Sequence, residues 1–326
     1  MKKIIALISC LLLVGCGKYT ASDALKEMEN KINSLKSYHL TGELAIYRGE
    51  DSYTYDVEVS YQKTDFYRVS LINKINNHEQ IILRNKEGVY VLTPSLNKSF
   101  KFQSDWPYNN SQIYLLGVVL SDIMKDNDKV LEKTDDGYVF TSKVNYSNNS
   151  NLIKQKVYLD KDLNIKKVEI VNDKDIVEMC MTIAQVEENK SFKEEYFSLE
   201  GNMETGNTET TMKVIEDAVY PMYIPVNTYL KSQDKMSTGN GERIILTFDG
   251  ESPFMLVQET ISVGKTFETN MVYGEPQLIG DTIGAITDYS VSWISQGIEY
   301  YLVSESMDLL EMLSVAESIT VPVFAK

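Results

Sequence analysis

The sequence predicts an α+β fold in which antiparallel sheets carry most of the structure. The first reason is a short helical repeat followed by many segments with the two-residue period of β-strands. The second is that strands and helices do not alternate regularly, which disfavours a parallel sheet. The third is length, because the 311 residues from Cys16 to Lys326 predict two domains rather than one.

The N-terminal residues have the pattern of an export signal. Met1–Lys3 carries two lysines, and the apolar run Ile4–Val14 is shorter than the roughly 20 apolar residues that a membrane-spanning helix needs. The run ends in Leu13-Val14-Gly15-Cys16, which resembles the lipobox of bacterial lipoproteins. This resemblance implies a signal peptide at 1–15, cleavage before Cys16 and a covalent diacylglyceryl group on its sulfur. An ordinary signal peptide with a chance cysteine is the alternative.

The charge and the cysteine content restrict the possible partners. Loss of residues 1–15 removes two lysines and no acidic residue, which changes the formal net charge from −15 to −17. Anionic membrane surfaces repel such a chain, so we expect the lipid rather than a basic patch to hold it there. The same charge argues against nucleic acid. Without Cys10 and with Cys16 acylated, Cys180 remains alone, so we expect no disulfide and a buried, apolar role for Cys180.

Residues 21–36 are predicted to form an amphipathic helix, because apolar residues recur at spacings of three and four. Thr20 or Ser22 could cap its start. The lipidated cysteine and the tether together span residues 16–20, which reach at most about 18 Å when extended. We therefore expect the folded body to lie close to the membrane.

The period changes to two from Tyr38 onward. Within Tyr53–Tyr61, apolar residues alternate with polar ones, which is typical of an antiparallel sheet covered on one face. A second helix is predicted at Ser111–Met124, capped by Asn110 or Ser111, with a wide apolar face. Further strands are predicted at Phe66–Ile72, Glu79–Arg84, Gly88–Thr93, Lys98–Gln103, Gly137–Val144, Leu152–Leu159, Ile165–Val171 and Ile176–Glu187, with a short helix or turn at Phe192–Leu199.

A polar segment at 201–213 is predicted to be a linker. It separates a first domain at 21–200 from a smaller α+β domain at 214–326, and each is long enough to bury a core. The final helix is predicted to open at Glu305-Ser306. Strands of the second domain are predicted at Arg243–Phe248, Phe254–Val263, Gly284–Thr287, Ser290–Ile294 and Ile298–Val303.

No set of residues in the sequence suggests catalysis. The chain has two histidines, His39 and His78, and neither lies at metal-ligand spacing from cysteines or acidic residues. Gly239-Asn240-Gly241 matches no phosphate-binding loop and is predicted to be a hairpin turn. We therefore predict no enzymatic activity, no metal site and no cofactor other than the lipid on Cys16.

The chain is rich in aromatic and aliphatic residues that could form an apolar surface, and it has 21 tyrosines. Several lie on one face of the predicted sheet, and aliphatic residues crowd the second predicted helix. One interpretation is a concave apolar groove under helical lids, which could bind a lipid or partner side chains. Ordinary packing of the sheet against its helices is the alternative. The candidate groove and lid residues are Tyr53, Tyr55, Tyr61, Leu115, Leu116 and Val119.

Three neighbouring segments, Val89–Phe102, Ser104–Pro107 and Ser111–Leu116, resemble the LolA/LolB-like lipoproteins of Gram-positive spore formers, which include sporulation and germination lipoproteins of the GerS and YdcC type. The resemblance covers about residues 20–200. It implies a curved antiparallel half-barrel with helices at its mouth, whose cavity holds acyl chains in the relatives that carry lipoproteins. The second domain is similar to the uncharacterised DUF4367 domain, at Tyr220–Pro225, Phe254–Gln258, Trp293 and Gly297–Tyr300.

Together these features predict a non-enzymatic envelope lipoprotein on the outer face of the cytoplasmic or forespore membrane. The resemblance to germination lipoproteins implies a protein partner in spore cortex modification, such as a cell-wall amidase. Two alternatives remain open. One is a carrier or acceptor of lipid or lipoprotein that uses the half-barrel cavity, and the other is a sensor that binds a membrane anti-sigma-type protein. A carrier must be soluble to shuttle, so the lipid on Cys16 favours an acceptor or scaffold.

Overall fold

A computed structural model describes most of the chain after its N-terminal segment. The predicted signal peptide at 1–15, the lipidation site Cys16 and residues 204–213 of the predicted linker lie outside the described residues. In the part of the chain that is described, no helix is long and apolar enough to cross a membrane. The described residues are 20–49, 51–146, 149–203, 215, 217–238, 241–261 and 267–319.

The first helix, α1 (Ala21–Ser34), begins at a capping box. The side-chain oxygen of Thr20 accepts the N–H of Asp23 at 3.2 Å, and the Asp23 carboxylate accepts the N–H of Thr20 at 2.9 Å. These two bonds satisfy N–H groups that a helix start otherwise leaves free. The helix ends earlier than the predicted range 21–36, because Leu35 already has the extended backbone that leads into the first strand.

Among the described residues, twelve strands form the first sheet, which is open and curved. Its strand order is β15-β6-β5-β4-β3-β2-β1-β11-β10-β9-β8-β7, so β15 and β7 are its two edges. The strands are β1 (Ser37–Arg48), β2 (Asp51–Gln62), β3 (Phe66–Asn73), β4 (Glu79–Asn85), β5 (Gly88–Thr93), β6 (Lys98–Phe102), β7 (Val130–Lys133), β8 (Gly137–Lys143), β9 (Lys154–Asp160), β10 (Ile165–Val171), β11 (Val177–Glu188) and β15 (Glu268–Val272).

The concave face of this sheet is apolar and fully covered where β1 and β2 form its centre. Leu40 pairs with Val59 and Leu44 pairs with Tyr55 across the two strands, and all four side chains are buried. The two-residue period of each strand places these pairs on the same face. Helix α1, a second helix and the connection at 104–115 pack against that face in one continuous core.

The second helix, α2 (Leu116–Lys125), is shorter at its start than predicted. The prediction that it begins at Ser111 is wrong, because residues 111–115 form turns in which Ile113 and Leu115 are buried without a helical backbone. Ser111 does not cap the helix. Its N–H donates to the carbonyl of Asn145 at 2.8 Å, and its side-chain oxygen accepts the N–H of Asn145 at 2.7 Å.

The convex face of the first sheet is covered over β3, β4 and β5. A 3-10 turn at Glu194–Phe197 and the short helix α3 (Leu199–Met203) pack there in a separate apolar cluster. The sequence predicts a short helix or turn at 192–199 in this region, and the structure has one.

Within the described ranges, seven strands form a second sheet in the order β12-β13-β14-β19-β18-β17-β16. Helix α4 (Leu309–Glu317) packs on one face of it. The prediction that this helix opens at Glu305-Ser306 is wrong, because Asp308 is the N-cap and accepts the N–H of Glu311 at 2.8 Å. The strands are β12 (Thr228–Thr238), β13 (Gly241–Gly250), β14 (Phe254–Thr260), β16 (Glu275–Ile279), β17 (Thr282–Ile286), β18 (Ser290–Ser295) and β19 (Ile298–Val303).

Four strands were not predicted, and β15 has the largest consequence for the fold. It comes from the C-terminal half of the chain but joins the first sheet, where it pairs with β6. This pair is parallel, an exception to the predicted antiparallel arrangement, whereas all other strand pairs described are antiparallel. Strand β15 comes after the predicted linker at 201–213 but belongs to the sheet of the first predicted domain. The predicted domain limits stay a prediction.

Buried polar contacts also join the two sheets. The side-chain oxygen of Gln80 on β4 accepts the N–H of Ile283 at 2.6 Å and the hydroxyl of Thr282 at 3.0 Å. The Tyr55 hydroxyl donates to the carbonyl of Gly280 at 3.1 Å. Because groups buried without partners are costly, these bonds define how the second sheet sits on the first.

We predict that Gln80→Ala destabilises the protein by about 1–3 kcal/mol, because it leaves the buried N–H of Ile283 without a partner. The measurement is the free energy of unfolding in urea. Gln103→Ala is the matched control, since Gln103 is exposed and should change this free energy little. Equal effects of the two substitutions would contradict the proposed role of Gln80.

Candidate functional site

A large cavity lies at the end of the concave face where α1 ends and β1 begins. Its volume of about 490 Å³ is within the range of small-molecule sites. Apolar and aromatic side chains make up much of its wall. They are Ile32, Leu35, Tyr38, Tyr61, Tyr67, Pro107, Tyr108 and Val118.

Three neighbouring strands build the aromatic wall of this cavity. Tyr61 on β2 is paired with Tyr38 on β1 and with Tyr67 on β3. The ring centroids are 5.3 Å apart for Tyr38 and Tyr61, and 5.0 Å apart for Tyr61 and Tyr67. Burial raises the pKa of all three phenols above their usual range, so they are neutral hydrogen-bonding groups at any physiological pH.

Tyr108 lies at the solvent side of the cavity and is half-exposed. Its hydroxyl donates to a carboxylate oxygen of Asp65 at 2.5 Å and lies 3.4 Å from the hydroxyl of Tyr67. The guanidinium carbon of Arg84 lies 5.2 Å from the centre of the Tyr108 ring, which is the distance of a cation–π contact. These contacts hold the segment after Trp106 against the cavity.

The polar wall of the cavity centres on Asp122 of α2, which is buried. Burial raises the pKa of this carboxyl, and a hydrogen bond from Ser111 and the charge of Lys125 partly oppose that rise. The cavity therefore combines an aromatic wall with one carboxyl that is costly to ionise. A carboxyl with a raised pKa in a concave pocket makes this cavity a candidate binding site.

A second cavity of about 290 Å³ lies on the other side of α1. Ile32 and Leu35 line both cavities, so the last turn of α1 separates them. A third pocket lies at the opposite end of the concave face, and its volume is only about 50 Å³. Among the residues that the structure describes, these three spaces are therefore separate pockets rather than one tunnel.

The candidate groove residues are distributed over several environments. Tyr61 lines the first cavity and Leu116 lines the second. Leu115 and Val119 are buried in the core and line neither cavity. Tyr53 and Tyr55 lie at the other end of β2, where the Tyr55 hydroxyl contacts the second sheet.

Tyr38 and Asp122 are among the wall residues that the sequence analysis did not predict. Tyr38 stands at the change of period, where no alternation precedes it. Asp122 reads in the sequence as a polar residue on the outer side of a helix. Its inward position follows from the late start of α2 and from the bond to Ser111, neither of which the apolar pattern indicates.

The histidines and the free cysteine lie outside the cavities described above. His39 is half-buried with its Nδ1 2.9 Å from the Ser60 hydroxyl, and His78 lies 3.3 Å from the hydroxyl of Ser95. Cys180 on β11 is half-buried, and burial raises the pKa of its thiol. Within the described ranges, no group of three or more histidine, cysteine, aspartate or glutamate residues could hold a metal ion.

Comparison with curated proteins shows a relative along nearly the whole chain. The chain is 35% identical over 317 residues to the sporulation protein YdcC of Bacillus subtilis (strain 168), which covers 96% of this chain and 94% of that protein. No protein-family model matches the chain.

Three solved structures illustrate what the chain is similar to. A crystal structure of MucB covers 93% of this chain and 98% of MucB, with 16% identity and a TM-score of 0.35. In a structure of the CwlD amidase from Clostridioides difficile in complex with the GerS lipoprotein, one chain matches this protein. The match covers 53% of this protein and 95% of the matched chain, with 16% identity and a TM-score of 0.29. The LolA superfamily protein NE2245 from Nitrosomonas europaea matches over 56% and 98%, with 10% identity and a TM-score of 0.33.

We predict that Asp122→Asn stabilises the protein at pH 7. Because burial raises the folded-state pKa, the stabilising contribution of the protonated carboxyl is complete below its unfolded-state value of about 3.8 and is lost as the pH rises through the higher folded-state pKa. The amide keeps the shape without ionising, so its advantage should be largest at pH 7 and should shrink toward pH 4.

Urea unfolding of the parent and the variant at both pH values is the measurement. Asp173→Asn is the control, because Asp173 is exposed and its replacement should give no such pH-dependent difference. A greater advantage of Asp122→Asn at pH 4 than at pH 7 would contradict the assigned environment.

Proposed function

The chain belongs to the family of the sporulation protein YdcC, and from this premise we propose that it is a non-enzymatic lipoprotein of the sporulating cell envelope that binds a protein partner. In this proposal Cys16 carries the lipid and holds the folded body at the outer face of the cytoplasmic or forespore membrane. The body acts as a scaffold whose surface, rather than its interior, is the binding element.

The observation that carries this proposal is the filled interior of the first sheet. Helices α1 and α2 and the connection at 104–115 bury the concave face in one core. A carrier of long acyl chains needs one continuous apolar cavity, whereas Ile32 and Leu35 divide what space remains. A body whose concave face is covered in this way is suited to presenting a preformed surface to a partner, because little conformational freedom is lost on binding.

The anchoring part of the proposal rests on the sequence. Leu13-Val14-Gly15-Cys16 has the lipobox pattern, and two acyl chains give stable attachment where one would be marginal. Since the net charge without residues 1–15 is −17, electrostatic attraction to an anionic membrane does not replace the lipid.

The charge also indicates the chemistry of the partner. A body this acidic associates fastest with a partner that presents basic groups around its contact surface. The resemblance to germination lipoproteins makes a cell-wall amidase the first partner to test. A membrane anti-sigma-type protein is the alternative partner, in which case the chain would act as a sensor.

The test is affinity purification of the C-terminally tagged chain from sporulating cells after mild detergent extraction. We predict that one envelope protein is recovered in near-equal amount, and that its identity separates the amidase from the anti-sigma alternative. Cys16→Ser is the matched control, because it should move the chain out of the membrane fraction and reduce recovery of a membrane-bound partner. Recovery of the intact chain without any envelope protein would contradict the proposal.

A second candidate function is binding of an apolar ligand in the first cavity. The specific observation in its favour is the wall of Tyr38, Tyr61 and Tyr67 beside an accessible space of about 490 Å³. Large aromatic surfaces of this kind commonly line ligand sites. In this function the chain would be an acceptor that stays at the membrane rather than a shuttle.

Gly117 on α2 offers a direct test of the second candidate. It lines the cavity, and a Cβ added there would meet no heavy atom within 4 Å. We predict that Gly117→Phe abolishes binding of a dansyl-labelled fatty acid if the cavity is the site. Gly117→Ala should retain binding and should also stabilise α2 by roughly 0.5–1 kcal/mol, since it reduces backbone freedom in the unfolded chain.

Fluorescence titration of the parent chain and both variants is the measurement. Failure of the parent chain to bind the dansyl-labelled fatty acid would remove the second candidate. Equal binding by the parent and by Gly117→Phe would mean that the fatty acid binds elsewhere.

A further inference from the structure

Seven exposed large hydrophobic side chains lie close together in one stretch of the second sheet's unit. Residues 218–230, which we name the uncharged segment, contain no charged residue between Asp217 and Lys231, although charged residues make up 24% of the chain. Contiguous exposed apolar surface usually marks an interaction site. The most exposed side chains are Met222 at 83%, Val226 at 79%, Tyr229 at 60% and Tyr220 at 48%.

Part of the backbone of the uncharged segment is bonded to the rest of its unit, and the side chains named above face solvent. Val219 exchanges two hydrogen bonds with the side chain of Gln258, at 2.8 and 2.6 Å. The N–H groups of Met222 and Tyr223 donate to the carbonyl and the hydroxyl of Ser318, at 3.3 and 3.0 Å. Pro221 and Pro225 have no N–H to satisfy.

Such a segment is suited to the boundary of a bilayer, where headgroups and water meet the acyl chains. Tyrosine side chains prefer the boundary between headgroups and acyl chains, where the ring is apolar and the hydroxyl is hydrated. Met222 and Val226 supply aliphatic surface without charge.

We propose that the uncharged segment is a second membrane-contacting surface, in which Met222, Val226 and Tyr229 enter the boundary of a lipid bilayer. The proposal goes beyond the scaffold function and rests on it only for the position of the body at a membrane. A lipid on Cys16, followed by a tether as short as residues 17–20, keeps the body near the bilayer. At that distance, the effective concentration of bilayer is high enough for a weak contact to be occupied.

The contact would orient the body rather than hold it. The segment itself supplies no positive charge, and the nearest one, on Lys231, is neutralised by Asp249 at 2.7 Å. Attraction to anionic lipid therefore adds nothing, and the contact is expected with zwitterionic lipid as well. With the anchor at one point and this surface at another, the body has two contacts and a restricted range of orientations.

The experiment uses the chain from Cys16 to Lys326 with Cys180→Ser, so that the Cys16 thiol can be coupled to a maleimide-headgroup lipid in phosphatidylcholine vesicles. Val226→Trp reports on the segment. Tyr289→Trp is the matched control, since Tyr289 is 61% exposed in the same unit beside the charged residue Asp288. Trp106 and Trp293 are buried and give a constant background.

In vesicles with brominated acyl chains, the expected result is a loss of emission and a blue shift for tryptophan at position 226 and neither change at position 289. No quenching at 226, or equal quenching at both positions, would overturn the proposal, and the first result would be the one expected of a protein-binding surface. Because the coupling replaces natural acylation, these outcomes do not depend on whether cells lipidate Cys16.

Discussion

The structure depends on covering the concave face of the first sheet. An open curved sheet presents alternate apolar side chains inward along every strand, and leaving them in water would cost more free energy than a domain has to spare. Helix α1 comes before the sheet, α2 and the connection at 104–115 interrupt it, and all three pack on the same face. Their side chains therefore determine how much space remains inside. The division of that space by Ile32 and Leu35 is a consequence of closing the core with a helix, and it favours a scaffold over a carrier.

The second sheet is built onto the first rather than linked loosely to it. Strand β15 extends the first sheet next to β6, and the side chain of Gln80 bonds the backbone of Ile283 from inside the contact. A partner that contacts either sheet would therefore meet one body whose halves cannot rotate freely. The proposed membrane contact depends on this connection, because a surface on the second unit can orient the whole body only if the two units are firmly joined.

Local patterns predicted the parts of the fold that local physics determines. The alternation within Tyr53–Tyr61 predicted β2 and its buried face, and the capping residue Thr20 was among those proposed for α1. Elements stabilised by distant contacts escaped prediction. Strand β12 is exposed on both faces and so lacks alternation, and β15 is recognisable only from its pairing with β6. The start of α2 was predicted wrongly because buried residues in a turn are as apolar as those of a helix.

The cavity could be predicted only in part. Tyr61 shows the strand period, but its contact with Tyr38 depends on the register between strands.

Amide hydrogen exchange on the chain from Cys16 to Lys326 tests the central claim most directly. This claim is that α1, α2 and the connection at 104–115 form a permanent part of the core. The account predicts that α2 and residues 111–115 exchange as slowly as the central strands β1 and β2, and that adding fatty acid leaves their rates unchanged, because protection by a filled core reflects global unfolding. Fast exchange across α1 and α2 that slows when fatty acid is added would contradict it, since that is the behaviour of helices that open to admit a ligand.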